Sequence, residues 1–305
     1  ILRAVVHVEL VPGNLMRATV AAKGFGSEFK SILKFLNPSD DLVDWVINEV
    51  LKMGAGWCPP GILGVGIGGT ADKAVLNAKM ALFEDQTDIS EIINRGPNNT
   101  IETLRLTLYK EINKLGIGAQ GLGGLTTVLD VKVKDYPTHA SSLPVSIIPN
   151  CAATRYVKFT LDGTGPCQII PPSLDDWPKI TNKMNQGGRR VNINNITKND
   201  IKSWKAGETI LLSGKILTGR DAAHKKIKNL MDEGKDLPKG LDFKNRFIYY
   251  VGPVPKVGNE VIGPAGPTTA TRMDKFTDMM LGQLNLLGMI GKAERGDKAI
   301  QVLKS

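Results

Sequence analysis

The run Gly54-Ala-Gly-Trp-Cys-Pro-Pro-Gly-Ile-Leu-Gly-Val-Gly-Ile-Gly-Gly-Thr70 holds one thiol, Cys58, between an aromatic residue and two prolines, at the lip of a glycine-rich turn. Prolines fix φ and glycines permit backbone conformations other residues avoid, so the segment is built to hold one sulfur in one place. A second cysteine, Cys151, sits in a similarly constrained run, Ile148-Pro-Asn-Cys-Ala-Ala-Thr154. Isolated cysteines in rigid loops point to ligands for a metal cluster. A different chemistry gathers near the C-terminus. Ser213–His224 ends a strand and opens a helix with Arg220 and Asp221 at its start. Gly263–Asp274 repeats the pattern with Thr268, Thr269 and Arg272, and Gly291–Gly296 adds Lys292. In parallel α/β sheets such strand ends converge on one crevice. Cations at helix N-termini oppose the helix dipole, so two arginines and a lysine placed there ask for an anionic ligand, and a small dicarboxylate suits the clamp.

Other motifs leave alternatives open. The glycines at 64, 66, 68 and 69 superficially fit a dinucleotide-binding turn, but that fingerprint needs a second strand ending in an acidic residue about 20 positions on. Here Ala81–Gln86 closes one helix and Thr87 leads into the next, so the context fails. The glycines either let backbone amides approach something beside Cys58 or simply turn the chain. The run Gly116-Ile-Gly-Ala-Gln-Gly-Leu-Gly-Gly124 is either a tightly packed turn or a loop that brings backbone donors or Gln120 to an anion. His139 lies between two strands and close to Cys151 in sequence; His224 is read as a solvent-facing helix residue.

The elements that must position these groups follow from periodicity. A helix is expected over 39–52, capped by Ser39 and stopped by Gly54, with Leu42, Val43, Val46, Ile47, Val50 and Leu51 as its apolar stripe. A strand over Leu63–Ile67, a helix capped by Thr70, and a longer helix from Thr100 to Leu115 follow. Strands are read at Val128–Tyr136, Pro144–Ile148 and Arg155–Leu161, which makes the first half α+β. Proline and glycine crowd 163–196, which reads as a linker. Beyond it, strands at Glu208–Leu217 and Arg246–Val251 alternate with helices at Arg220–Met231 and from Thr268, predicting a smaller α/β domain with a largely parallel sheet. The expected division is 1–162, a linker at 163–196, and 197–305. Ile1–Leu10 reads as a strand in mid-stride and Asp297–Ser305 as a helix cut short, so a fragment truncated at both ends is expected.

Composition narrows the classes. At 305 residues the chain is long enough for two cores. No apolar stretch reaches the roughly 20 residues that cross a membrane. The net charge of +9 invites a nucleic-acid reading, but the basic residues are spread along the chain without interleaved aromatic residues, so a solvated basic surface attracting small anions is preferred. Three cysteines make no disulfide framework, and a reducing compartment, cytoplasm or mitochondrial matrix, is expected.

Taken together, Gly54–Thr70, Gly116–Thr138, His139–Thr154, Ser213–His224, Gly263–Phe276 and Ile290–Gly296 resemble the class I fumarases, the iron–sulfur hydro-lyase family that includes the L-tartrate dehydratases. The resemblance covers nearly the whole chain. In the tartrate enzymes the two halves are usually separate subunits, so fusion across the linker favours fumarase. The resemblance implies a four-iron, four-sulfur cluster held by three cysteines, with Cys58 and Cys151 as two ligands and the third upstream of Ile1; Cys167 matches none. It implies that Arg220, Arg272 and Lys292 bind substrate carboxylates, that Thr269 is the base, and that Thr268 and His139 lie beside the substrate. It further implies reversible hydration of fumarate to (S)-malate by a homodimer. Where the family has three glycines before Ser-Glu-Asn, this chain has Gly24-Phe-Gly26-Ser-Glu-Phe29. Gly24 and Gly26 are carried over as substrate contacts, while Phe25 and Phe29 either crowd that contact or point outward. The alternatives are a tartrate or mesaconate hydro-lyase of the same family, or a cluster-less fragment that binds dicarboxylates or a partner chain.

Overall fold

The structure, a computed structural model, describes residues 4–153, 155–167, 169, 188–256, 258–259, 261–263 and 265–304. Its elements run β1 (Met16–Ala21), α1 (Phe25–Glu28), β2 (Ile32–Leu36), α2 (Leu42–Met53), β3 (Gly61–Gly68), α3 (Ala71–Phe83), α4 (Ile89–Arg95), α5 (Thr100–Lys114), β4 (Val128–Tyr136), β5 (Leu143–Cys151) and β6 (Tyr156–Leu161) in the first part. The second part comprises β7 (Arg189–Asn192), α6 (Lys198–Lys202), β8 (Ile210–Ser213), β9 (Leu217–Thr218), α7 (Asp221–Asp232), β10 (Phe247–Tyr249), β11 (Gly288–Ile290) and α8 (Asp297–Lys304).

The first core forms around a four-stranded sheet ordered β2-β5-β3-β4, in which β3 and β4 are parallel and β5 runs antiparallel to both β2 and β3. On one side Val46 and Val50 of α2 and Leu108 and Ile112 of α5 bury against Leu63, Val65, Val131 and Val145. On the other side α3 covers the sheet with small residues, and this explains the glycine run. A Cβ at Gly64 would stand 2.1 Å from the Ala78 carbonyl oxygen, and one at Gly66 would stand 1.9 Å from that of Ala74. The glycines of β3 therefore let a helix lie directly on the sheet. Together with β1–β6, an antiparallel two-stranded ribbon, these elements make the first half α+β, as read from sequence.

The second core is built on a three-stranded parallel sheet ordered β11-β10-β9. Ile227, Phe243, Ile248, Tyr250, Met273, Phe276 and Met280 fill it. Its parallel strands agree with the expected α/β domain.

Several expectations are corrected. Of the expected strand at Ile1–Leu10, residues 1–3 lie outside the described residues and 4–10 are irregular and exposed; the first strand among the described residues is β1, because it is Met16–Ala21 that finds a partner in β6. Helix α2 is capped by Asp41, whose Oδ1 accepts from the Asp44 N–H at 2.9 Å, rather than by Ser39. Asp40 closes the preceding turn by accepting from the Asn37 N–H at 2.9 Å. The expected strand at Glu208–Leu217 is two strands, β8 and β9, parted at Gly214, whose φ is 130°. The helix expected from Thr268 is instead a tight 3₁₀ segment over Ala270–Phe276, followed by a π turn at Met279–Gln283. The backbone there is claimed by neighbours: the Thr268 N–H donates to the Tyr250 carbonyl and the Ala270 N–H to that of Lys292. Of the expected linker, residues 170–187 lie outside the described residues, while Arg189–Asn192 form β7, paired in parallel with β8. Among the described residues no helix is long and apolar enough to cross a membrane.

Candidate active site

The cysteine turn begins where α2 stops at Gly54, which adopts φ 54°. The Cys58 N–H donates back to the Ala55 carbonyl at 3.1 Å, and Cys58 itself takes φ 69°, a left-handed conformation that non-glycine residues rarely hold. Trp57 is fully buried in the first core, which sends its neighbour Cys58 the other way, half-exposed. Cys151 is the last residue of β5 and stands opposite Gly61 in the β3–β5 register, so both thiols lie at one end of the sheet. The strands approach closely there: a Cβ at Gly61 would come 2.2 Å from the Asn150 carbonyl oxygen.

Each sulfur has a cationic neighbour. Arg155 Nη2 donates to Cys151 Sγ at 3.0 Å, and a Cβ at Gly24 would meet that same Nη2 at 3.2 Å. Gly24 is thus part of the wall around Cys151, whereas Gly26 faces open space and Phe29 is exposed. Beside them Glu28 takes ion pairs from Lys23 and Lys79. Burial works to raise the Glu28 pKa, but the two lysines hold it below the ordinary value. Burial lowers the pKa of Lys23 in turn.

Cys58 receives its cation from the other core. Lys292 Nζ donates to Cys58 Sγ at 2.6 Å and to Gln120 Oε1 at 2.7 Å. Gln120 is held in place by Pro59, whose carbonyl accepts from its backbone N–H at 2.6 Å and its side-chain amide at 3.1 Å. The second glycine run packs tightly, with a Cβ at Gly121 only 2.5 Å from the Ala55 side chain, and it delivers Gln120 to the Lys292 ammonium rather than to an anion.

Lys292 directly follows β11 and its short loop, Arg220 follows β9, and Thr268 is hydrogen-bonded to Tyr250 just past β10. Because the strands are parallel, all these groups emerge at the carboxyl edge of one sheet. The Lys292 loop is pinned by Arg295, which donates to Asp274 at 2.5 Å, and by the Thr271 hydroxyl, which donates to the Glu294 carbonyl at 2.8 Å. Thr269 pairs with Lys292 as an isolated bridge, and Arg272 donates to the Thr268 hydroxyl. Asp221 stands 3.7 Å from Arg272, and Arg272 Nε is buried without a partner among the described residues. The Arg220 guanidinium lies on Gly252, where a Cβ would meet it at 3.1–3.4 Å.

The structure does not bring His139 to this group. It follows β4 at the end of the sheet where Gly68 pairs with Tyr136, opposite the end that carries the cysteines, because the β4–β5 connection turns there. His139 is exposed, shares a hydrogen bond of 2.8 Å with the Ser141 hydroxyl, and lines a cavity of about 620 Å³ with Thr70, Lys73 and Tyr136. His224, read as solvent-facing, is fully buried between the Tyr250 and Phe276 rings. Arg155 and the Asp274–Arg295 pair were not singled out from sequence, since single charged residues carry no periodic signal.

Among the described residues no three or more of His, Cys, Asp and Glu cluster as a metal site. Two soft thiol donors at one sheet end nonetheless fit a thiolate-held iron–sulfur group as two of its ligands. Fold and site define a two-core protein in which a cationic, hydroxyl-bearing sheet edge of the second core meets the cysteine turn of the first. The chain belongs to the fumarate hydratase family: the family's own domain, described as fumarate hydratase (fumerase), matches residues 2–160, and the fumarase C-terminus matches 163–305. It is 30% identical to the anaerobic class I fumarate hydratase of Escherichia coli (strain K12), an alignment covering 97% of this chain and 56% of that protein. It is 31% identical to a putative class I fumarate hydratase of Geobacillus stearothermophilus, covering 98% of this chain and 61% of the relative. A putative L(+)-tartrate dehydratase subunit alpha of Methanocaldococcus jannaschii matches 44% of this chain, and 46% of its own length, at 43% identity. The chain spans a little over half the length of the fumarate hydratases it matches.

Proposed function

We propose that this chain carries the site of a hydro-lyase that interconverts fumarate and (S)-malate. The observation that carries the reading is the Lys292–Cys58 contact, which joins the cationic crevice of the second core to the cysteine turn of the first. Family membership and the fumarate hydratase relatives support the reaction class. The fusion of both family regions in one chain favours fumarase over the tartrate enzymes.

In this reading Cys58 and Cys151 are two of three thiolate ligands to a four-iron, four-sulfur cluster, the third cysteine coming from outside residues 1–305. The bound cluster supplies a Lewis-acidic iron for the substrate hydroxyl. The chain's own residues do the rest. Arg220, Arg272 and Lys292 grip the substrate carboxylates and stabilise the charge that builds when an unactivated C–H proton leaves. Arg272 Nε, buried and without a partner among the described residues, has donor capacity to spare for a carboxylate oxygen. Thr269 takes the proton, a task its hydroxyl can perform only as an alkoxide in a dry, positive crevice. Thr268, already bonded to Arg272, orients that guanidinium. Gly24 permits close approach beside Cys151. His139, at the far end of the sheet, has no part in the clamp within one chain. A homodimer and a reducing compartment accord with the family reading.

The test is fumarate hydration by the full-length protein, reconstituted anaerobically with iron and sulfide, against mesaconate and tartrate. Malate formation that vanishes in Cys58→Ser, together with the visible colour of the cluster, supports the proposal. Turnover of a rival substrate alone changes the substrate and keeps the site. A reconstituted protein that carries the cluster and turns over none of them leaves only dicarboxylate binding.

A further inference from the structure

His224 is buried, titratable and unused by the mechanism above. Its ring Nδ1 stands 2.7 Å from the Arg220 carbonyl oxygen. A carbonyl can only accept, so Nδ1 carries the proton and Nε2 is a bare acceptor. That Nε2 is buried with no partner among the described residues. The ring packs edge-to-face with Tyr250 at 5.4 Å and tilts against Phe276 at 5.6 Å. An unpaired buried acceptor is a standing cost that a hydrocarbon of the same shape would not incur. Burial, moreover, lowers the His224 pKa and keeps the ring neutral. Fold stability alone therefore gives no reason for a histidine here.

The other end of the ring supplies one. Arg220 is the N-cap of α7, in extended conformation at φ −123°, ψ −165°, and its side chain makes no capping bond. Its carbonyl accepts twice, from the His224 backbone N–H at 3.0 Å and from the ring Nδ1–H. The first bond would be present with any residue but proline at 224; only the second depends on the imidazole. It fixes the peptide plane from which the Arg220 side chain departs to lie on Gly252. We propose that His224 is a positioning residue that presents the Arg220 guanidinium to a substrate carboxylate through the second hydrogen bond on the Arg220 carbonyl. This rests on the reading of Arg220 as a carboxylate ligand.

Phenylalanine and asparagine separate the alternatives. His224→Phe keeps a ring between Tyr250 and Phe276, removes the orphan acceptor and loses the donor. His224→Asn keeps an amide N–H near the Nδ1 position, and asparagine makes that bond elsewhere in this chain, where Asn48 donates to the Asp44 carbonyl at 2.9 Å. The variants are compared in the full-length protein by calorimetric binding of succinate and, after reconstitution, by steady-state fumarate hydration. Arg220→Ala is the control. His224→Phe is expected to raise the succinate Kd and the fumarate KM about tenfold, with kcat changed far less and thermal stability not reduced. His224→Asn is expected to restore most of the affinity. Affinity unchanged in His224→Phe while Arg220→Ala is impaired, or equal loss in Phe and Asn, overturns the positioning role and leaves the function intact. An Arg220→Ala protein with unchanged Kd and KM overturns the assignment of Arg220 itself and this inference with it. Should His224→Phe not fold, His224→Leu, which likewise lacks the donor, replaces it in the comparison.

Discussion

Lys292 Nζ and Cys58 Sγ, 234 positions apart in sequence, stand 2.6 Å from one another. The contact is the meeting point of two separate pieces of local structure. Cys58 is turned toward it because Trp57 is buried behind and the backbone at 58 is left-handed. Lys292 is aimed at it by the β11 strand and by the Asp274–Arg295 pin. Gln120, sharing the ammonium, closes the triangle from the glycine loop. The three side chains come from regions that sequence periodicity treats as unrelated.

Replacing Lys292 with methionine removes the ammonium and keeps an unbranched stem. If that charge stabilises the developing carboxylate charge, kcat/KM falls by about 10²–10³, the usual effect of losing one preorganised donor. Arginine does not rescue it, because a planar fork cannot occupy the position of a compact ammonium. Steady-state kinetics on the reconstituted protein checks this. A purely affinity-based loss, with kcat intact, would assign Lys292 to ground-state binding only.

Gly252 is where the Arg220 guanidinium rests, and a methyl group there would press on it at 3.1–3.4 Å. Gly252→Ala is therefore expected to raise KM several-fold, up to about tenfold or ~1.4 kcal/mol. Its thermal midpoint should stay near the parent's, since residue 252 is exposed and its φ is not left-handed. An unchanged KM would show that the arginine moves aside without penalty.

Much of this arrangement was legible in sequence. The apolar stripes located α2, α3 and α5, and alternating strands and helices after residue 197 announced the parallel sheet whose edge gathers Arg220, Thr268 and Lys292. What escaped was decided by tertiary contacts. His224 sits in a helix of charged residues, and only Tyr250 and Phe276, contributed by other elements, make it a core side chain. The segment after Thr268 has helical spacing, yet strand-end partners take its first N–H groups and tighten it to a 3₁₀ turn. His139 is near Cys151 in sequence but at the other end of the sheet, because β5 runs the full length of β3 between them. Sequence proximity across a strand is a poor guide to proximity in space.

The glycines of β3 offer a stability test independent of catalysis. Gly66→Ala would set a methyl carbon 1.9 Å from the Ala74 carbonyl oxygen, so α3 must lift from the sheet. Overpacking of this kind costs about 2–3 kcal/mol. Gly26→Ala is the matched control, with ordinary φ and open space around its Cβ, and should be neutral in stability. Chemical denaturation of both variants decides the point. Equal stabilities would mean that the helix does not lie directly on β3.

The pH dependence of stability should carry the signature of Glu102. Its carboxylate accepts from Arg95 at 2.7 and 2.9 Å and from the Asn98 N–H at 2.8 Å, joining α4 to α5. The Arg95 hydrogen bonds, followed by that from Asn98, draw its pKa down from 4.5 to about 2. A carboxylate whose folded pKa lies below its unfolded pKa stabilises the fold above the unfolded value, and that contribution disappears as protons bind on the way down. The relevant window therefore runs from about pH 4.5 down to about pH 2. Glu102→Gln, which cannot ionise, should melt lower than the parent at neutral pH. Across that window the parent's thermal midpoint should fall faster, so the gap between the two proteins narrows. Thermal melts followed by circular dichroism at successive pH values measure both curves. Parallel curves would mean that the Arg95–Glu102 pair contributes nothing that depends on its charge.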